Sequence, residues 1–360
     1  MIVVGANFDE VDFISLQYAK TGFGKRFDDT VGLYFPSIPY GTYDVVQQAG
    51  LVVAFPYMTV FHATNIHRIA LTSQPSCAAI FSSIVSNMFS NTSSFSRVYT
   101  MHGIITHADP ALFIHRNMND ADRFATHLRN RLTPYVSLVD ARAGKGDALT
   151  VDDSTHAAAD LARMTRALGH DITFFINPWH IETGVAYMPA VLNVLLDTAL
   201  GEYIDFQNAR YFVRTAQERI ASRGALRHFL ETIMDPEEQV RMLESCANEN
   251  AIRLELPRHL TSISLEVVQE LHTLGVDIQN HGWRHLPHRI LSVEQKTENL
   301  DKSVEWLQDK LNVDAKEFAV PFGADDEVSS APGGNWYLLD AKRPEGQIGK
   351  GIYNRTLFTE

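Results

Sequence analysis

Four short stretches of this chain hold residue types that can do chemistry together: Asp152-Asp153, His281-Gly-Trp-Arg-His285, Pro321-Phe-Gly323 and Asn177-Pro-Trp179. Each alone says little. Asp-Asp, for example, recurs at 28–29 and 325–326, where a solvated turn is the ordinary reading. Their joint placement says more. One carboxylate and two histidines make a three-ligand set with a position left for water, the usual donor count of a catalytic divalent metal. Such an ion lowers the pKa of its water and polarises a carbonyl oxygen. The other carboxylate of the aspartate pair points the opposite way along the chain, so it can stay off the metal and take the proton. A strand-end backbone N–H near Phe322 can hold a developing oxyanion. These parts describe a metal-assisted amide or ester hydrolase.

Each stretch follows an apolar run that reads as a strand: Leu149-Thr-Val151, Ile278-Gln-Asn280, Phe318-Ala-Val320 and Phe174-Phe-Ile176. A further strand is expected over 97–105. Helical patterns fall between them: 120–132 with Phe124, Leu128 and Leu132 on one face, 155–168 closed by Gly169, 264–274 and 292–311. Strands alternating with helices predict an α/β fold with a parallel sheet or barrel, whose working residues sit at the C-terminal strand ends. The segment from about 188 to 250 reads as helical, broken near Gly224 and Pro236, and forms an insertion (about 188–260) placed to cover the site as a lid. Residues 1–75 show strand-like runs at 2–5, 31–35, 51–55 and 68–72, and Cys77–Phe89 has a helical face. The Ser/Thr/Asn-rich stretch 90–96 suggests a boundary, giving an N-terminal accessory region over 1–96 and a second domain over 97–360.

Composition narrows the function classes. The chain has 360 residues and a mass of 40.4 kDa, with 43 acidic against 31 basic residues, a net charge of −12 and a pI near 5.7. That balance argues against a general nucleic-acid binder and against docking on anionic lipid. Two cysteines, Cys77 and Cys246, exclude a disulfide scaffold and a cysteine-based zinc finger. No stretch is apolar for long enough to span a bilayer. The N-terminus lacks the basic region of a secretory signal, so a cytoplasmic protein is expected.

The motifs resemble those of the NodB-homology polysaccharide deacetylases, the family-four carbohydrate esterases. Thr150-Val-Asp-Asp-Ser154 is similar to their Thr-Phe-Asp-Asp-Gly, Asn280-His-Gly-Trp-Arg-His285 to their His-(Ser/Thr)-x-x-His, and Phe318-Ala-Val-Pro-Phe-Gly323 to their third motif. Ala167 to Ile176 resembles the Thr-Phe-Phe strand that follows motif one, and Tyr99-Thr-Met-His-Gly-Ile104 the Tyr-His strand that opens many members. The resemblance covers about residues 97–357. It implies a distorted (β/α)7-type barrel and metal-dependent removal of an acetyl group from an acetylated sugar. By position it implies that Asp152 is the general base, that Asp153, His281 and His285 hold the metal, and that Phe322 supplies the oxyanion N–H. Zinc is the preferred ion, and the same nitrogen and oxygen donors admit cobalt or nickel.

Three departures stand out. Ser154 replaces the motif-one glycine. Ala319 stands where an arginine commonly orients the catalytic aspartate, which leaves Arg343 and Arg355 as candidates. The C-terminal Leu-x-His that supplies the general acid is absent, since no histidine follows His288. His102, His180 and His288 are then the candidate acids, with His102 preferred. Trp283, Trp179, Asn177 and Pro321 are expected to bind substrate, whereas Trp306 and Trp336 read as core. An intracellular glycan precursor or sugar metabolite suits such a site. Another C–N hydrolase of the superfamily, such as a deformylase or cyclic-amide hydrolase, is the second reading. A carbohydrate-binding homologue that has lost turnover is the third, and the missing histidine is its support.

Overall fold

The computed structural model describes residues 96–109, 111–115, 118–323 and 334–358. Within residues 1–95 it describes only the backbone of four strands, β1 (Ile2–Asn7), β2 (Phe13–Tyr18), β3 (Thr30–Tyr34) and β4 (Leu51–Val52). These form a sheet in the order β3-β2-β1-β4. The strand expected at 68–72 and the helix expected at 77–89 lie outside the described residues. The chain divides into two compact units, Met1–Ser93 and Ser94–Glu360.

The second unit is an α/β fold of the NodB type. Its strands are β5 (Val98–Met101), β6 (Ile104–Ile105), β7 (Asn119–Asp120), β8 (Ala148–Asp152), β9 (Thr173–Ile176), β10 (Tyr203–Phe206), β11 (Ala209–Phe212), β12 (Asp277–Asn280), β13 (Glu317–Ala319), β14 (Asn335–Leu338), β15 (Gly346–Gly349), β16 (Ile352–Asn354) and β17 (Thr356–Leu357). The main sheet runs β15-β16-β14-β13-β12-β9-β8-β5-β17, and every pairing but β15 with β16 is parallel. β16 and β17 are one extended segment interrupted only at Arg355. Its first half pairs with β14 and its second with β5, so a single segment joins the two ends of the parallel sheet.

The parallel strands are short apolar runs because both of their faces are covered. All residues of β8, β9 and β13 are buried. Met101, Leu149, Val151, Phe174, Ile176 and Ile278 pack in one core with Leu161, Leu271 and Leu307 of the flanking helices. Local signals start and stop those helices. Thr155 caps His156–Ala167, and Ser292 with Gln295 makes a capping box for Val293–Leu311.

Three sequence expectations need correction. The helix expected over 120–132 ends at Asn130, and Leu132 is fully exposed rather than on its apolar face. Pro134 disfavours helical geometry in the residue before it, and Arg131 is drawn off to bond Asp147 and lie over the Tyr135 ring. The strand expected over 97–105 is broken after Met101. Gly103 turns there at φ 150°, and a Cβ on it would lie 2.7 Å from the backbone carbon of Ala157, so only glycine fits. The insertion is not wholly helical. Helix Met188–Thr198 is followed by the hairpin β10–β11, then by helices Ala216–Leu230 and Pro236–Glu249. Tyr203-Ile-Asp-Phe206 alternates exposed and buried, a strand period, and Gln207 and Asn208 both take positive φ, as a two-residue hairpin turn requires. Gly224 lies inside Ala216–Leu230 and does not break it. Pro236 opens the next helix behind the Asp235 cap.

Candidate active site

The ends of β5, β8, β12, β13, β14 and β16 converge on a cavity of about 250 Å³. Asp152 is the last residue of β8, and Asp153 follows it at φ 70°, a left-handed turn that aspartate tolerates better than most residues. The two carboxylates thereby meet different partners. Arg355 grips Asp152 through both oxygens at 2.7 and 2.6 Å. The Arg355 side chain is wholly buried, and it also donates to the hydroxyls of Thr100 and Thr150. Burial pushes the Asp152 carboxyl up, but Arg355 and His281 more than offset it, so the group is held below the usual carboxylate range. Of the two arginines considered for this place, Arg355 occupies it, whereas Arg343 bonds Asp340.

Asp153 faces the histidines. Its Oδ1 lies 3.6 Å from His281 Nε2 and 3.2 Å from His285 Nε2, and one donor atom from each of the three residues falls within 4.8 Å of the others. His281 Nδ1 is 2.8 Å from the Ala319 carbonyl. That bond needs the proton on Nδ1 and turns a lone pair on Nε2 toward Asp153. Asp153 Oδ1 is itself buried without a hydrogen-bond partner. Burial pushes His285 down despite the pull of Asp153, so a proton is a poor occupant of the space between them. Burial raises the Asp153 carboxyl, and the two histidines reverse this and hold it well below the usual range. An anion facing lone pairs in a buried place fits a divalent cation, which Asp153, His281 and His285 can hold.

The supporting turn is fixed by side chains. Asn177 donates to the carbonyls of His281 and Gly282, and its own N–H donates to Ser154 Oγ. The serine at the usual glycine position is therefore a hydrogen-bonding member, and its φ is not positive. Asn280 Oδ1 accepts from the Gly282 N–H, and Asn299 Oδ1 accepts from the N–H groups of Trp283 and Arg284. Phe322 sits at φ 61° beyond β13, with its ring 4.7 Å from that of His285.

The expected residues divide into two sets. His102, Asp152, Asp153, His281, His285 and Phe322 line the cavity. Trp283, Trp179, Asn177 and Pro321 do not. Trp283 packs against the main core and borders a separate cleft with Arg284. Trp179 is buried, with Arg284 over its ring. Asn177 is wholly buried and spends its amide on the backbone of the histidine turn. Trp306 and Trp336 are core, as expected. His288 is buried beside Phe318 and Trp336, away from the cavity. His180 bonds the Val185 carbonyl and stacks on Tyr187, and burial pushes it down to about 4. His102 Nδ1, at the end of β5, is buried without a partner.

Sequence reasoning missed Tyr187, Arg223 and Arg227, which also line the cavity. The Tyr187 hydroxyl accepts from the Ser154 N–H at 2.7 Å and donates to Asn177 Oδ1, and the ring lies edge-on to His285. Burial and Asp153 hold this phenol well above its ordinary range, so it stays neutral. No motif marks these three, and the helical charge pattern around the arginines is that of a solvated face.

A family model described as polysaccharide deacetylase matches residues 141–331, more than half of the chain. Among curated proteins none matches. Among solved structures, the chain is similar to the Streptococcus pyogenes deacetylase PplD in complex with acetate, at 13% identity and a TM-score of 0.45, over 73% of this chain and 92% of that one. It is likewise similar to IcaB from Ammonifex degensii, at 13% identity and a TM-score of 0.42, over 73% and 91%. Similarity to the BpsB deacetylase domain from Bordetella bronchiseptica is at 11% identity and 0.40, over 73% and 96%. The matched segment contains the paired aspartates, both cavity histidines and Phe322, and the chain belongs to the polysaccharide deacetylase family.

Proposed function

We propose that this protein is a metal-dependent hydrolase that removes the acetyl group from an N-acetylated amino-sugar-type substrate in glycan or sugar-metabolite biosynthesis, with zinc as its preferred ion. The observation that carries the reading is the division of labour between two adjacent carboxylates: Asp153 faces two imidazoles, whereas Asp152 is tied to the buried Arg355.

Asp153, His281 and His285 would hold a divalent ion, which would lower the pKa of a water there and polarise an acyl oxygen. Asp152, kept anionic and oriented by Arg355, accepts the proton of the attacking water. The Phe322 N–H donates to the acyl oxygen as charge builds there. His102 gives a proton to the departing nitrogen. The C–N bond then breaks, and acetate and the free amine leave. Support for His102 comes from its buried Nδ1, which has no partner, in the wall that also holds Asp152 and Asp153.

Metal analysis of the purified chain tests the ligand set. The wild type is expected to carry about one ion per chain, and His281→Ala and His285→Ala should each lose it. Full occupancy in both variants would sink the assignment. The acid assignment is tested by the pH profile of amide hydrolysis, which should be bell-shaped in the wild type. His102→Ala should lose its alkaline limb while keeping the metal.

A further inference from the structure

The insertion puts two arginines into a cavity whose described carboxylates, Asp152 and Asp153, already have partners of their own. Arg223 and Arg227 lie one turn apart on helix Ala216–Leu230, so they share a face, and both line the cavity. Arg223 Nε bonds Asn193 Oδ1 on the neighbouring helix at 2.7 Å. The Arg227 guanidinium lies 4.8 Å from the centre of the Phe322 ring, which itself lies 4.7 Å from that of His285. The Phe322 ring thus lies against both this guanidinium and the His285 imidazole. Arg227 bonds Glu231, but that buried carboxylate also serves Arg289, so one anion faces two cations. Among the described residues, the carboxylates that line the cavity are Asp152, gripped by Arg355, and Asp153, aimed at the histidines. In a chain of net charge −12, two arginines on one described face of the cavity run against the general trend.

We propose that the cavity takes an acetamido substrate that also carries a phosphate or carboxylate group, bound by Arg223 and Arg227. This rests on the deacetylase reading and adds the substrate class. Both anions match the planar donor fork of a guanidinium, and a guanidinium fixed by Asn193 or by Phe322 and Glu231 loses less freedom on binding. The anion lies toward the insertion, so it fixes which way round the sugar enters and brings the acetamido group over Asp152.

The test uses the full chain saturated with metal and three substrates: N-acetylglucosamine, its 1-phosphate and N-acetylmuramic acid. The wild type should favour the anionic compounds in kcat/KM by at least about tenfold, the scale of one or two charge-assisted hydrogen bonds. In Arg223→Gln and in the Arg223→Gln/Arg227→Gln pair, that preference should fall by about 10–100-fold, mainly through the KM of the anionic substrate. Arg227→Lys, which keeps the charge, should recover part of it. Comparing the two anionic substrates separates phosphate from carboxylate recognition. Equal use of neutral and anionic substrates by the wild type, or a preference that survives in the double variant, would overturn the proposal. Failure to release acetate from any of them would count against the deacetylase reading instead. Calorimetric titration with N-acetylglucosamine 1-phosphate would then still decide this inference: binding by the wild type that the double variant loses supports it, and no binding by the wild type rejects it.

Discussion

On one side of the cavity, strand ends present His102, Asp152, Asp153, His281, His285 and Phe322 from a parallel sheet in which every residue of β8 and β9 is buried. On the other side, helices Met188–Thr198 and Ala216–Leu230 present Asn193, Arg223 and Arg227 from an insertion with its own core of Leu192, Leu195, Ile204, Leu226, Leu230 and Leu243. The sheet side holds its polar groups through buried bonds spanning long stretches of sequence, such as Arg355 to Asp152. The insertion side holds its arginines at partly exposed positions, Arg223 through Asn193 on the neighbouring helix and Arg227 through Glu231 one turn on. Chemistry needs groups fixed to fractions of an ångström, which a packed sheet supplies. Substrate choice needs a wall that can differ without disturbing that sheet, and an insertion with its own core supplies that.

The difference can be broken first at Asp152. Asp152→Asn should keep its metal and lose about two to four orders of magnitude in kcat, the scale of one acid–base group. Variants on the insertion wall should act on KM instead. A kcat loss of equal size from Arg223→Gln would erase the distinction between the two sides.

The second expectation concerns Arg355. Arg355→Met leaves Asp152 charged, buried and unpaired, and leaves Thr100 and Thr150 without their shared donor. Removing one partner of a buried pair costs about 3–5 kcal/mol, and denaturant unfolding should show a loss of that order. A stability within about 1 kcal/mol of the wild type would mean that the pair orients the base without supporting the sheet.

The third lies at the seam between the two sides. His180, stacked on Tyr187, is buried and pushed down to about 4. The unfolded chain takes up this proton near the ordinary histidine value of about 6.5, the folded chain only near 4, so the unfolded state binds more protons between those values. The contribution is therefore complete above about pH 6.5 and fades as the pH falls toward 4, for a total of about 3 kcal/mol. Unfolding measured across that window should have a flatter pH dependence in His180→Gln than in the wild type. Parallel curves would show that another group sets the acid limit.

The sheet side was legible in the sequence because its residues come in contiguous runs. Asp152-Asp153 ends a wholly buried strand, His281 and His285 follow another, and the apolar runs themselves announce a parallel sheet. Arg355 could be named only as a candidate, since its partner is 203 residues away and no local pattern joins them. Trp283, flanked in sequence by His281 and His285, is expected at the cavity. The turn from Gly282 to His285, with left-handed residues at both ends, sends it to the core instead. The insertion was legible least. Its hairpin rests on an alternation only four residues long, and Arg223 and Arg227 look like any charges on a solvated helix. Tertiary placement alone turns them toward the cavity.

The smallest effect concerns the helix that carries those arginines. Gly224, inside Ala216–Leu230, is exposed, and a Cβ there would meet nothing within 4 Å. No positive φ and no close approach requires a glycine at this position. Glycine in a helix interior is less favourable than alanine by about 0.5–1 kcal/mol, because the unfolded chain has more freedom to lose. Gly224→Ala should therefore stabilise the chain by about that amount, read as a higher denaturant midpoint with no change in slope. The gain should be found in the insertion, as slower amide exchange along 216–230, while the exchange of β8 and β12 stays as it was. A gain spread evenly over both regions would mean that insertion and sheet unfold as one unit. The insertion wall would then not be free to vary on its own, and the contrast between the two sides of the cavity would be one of position rather than of stability.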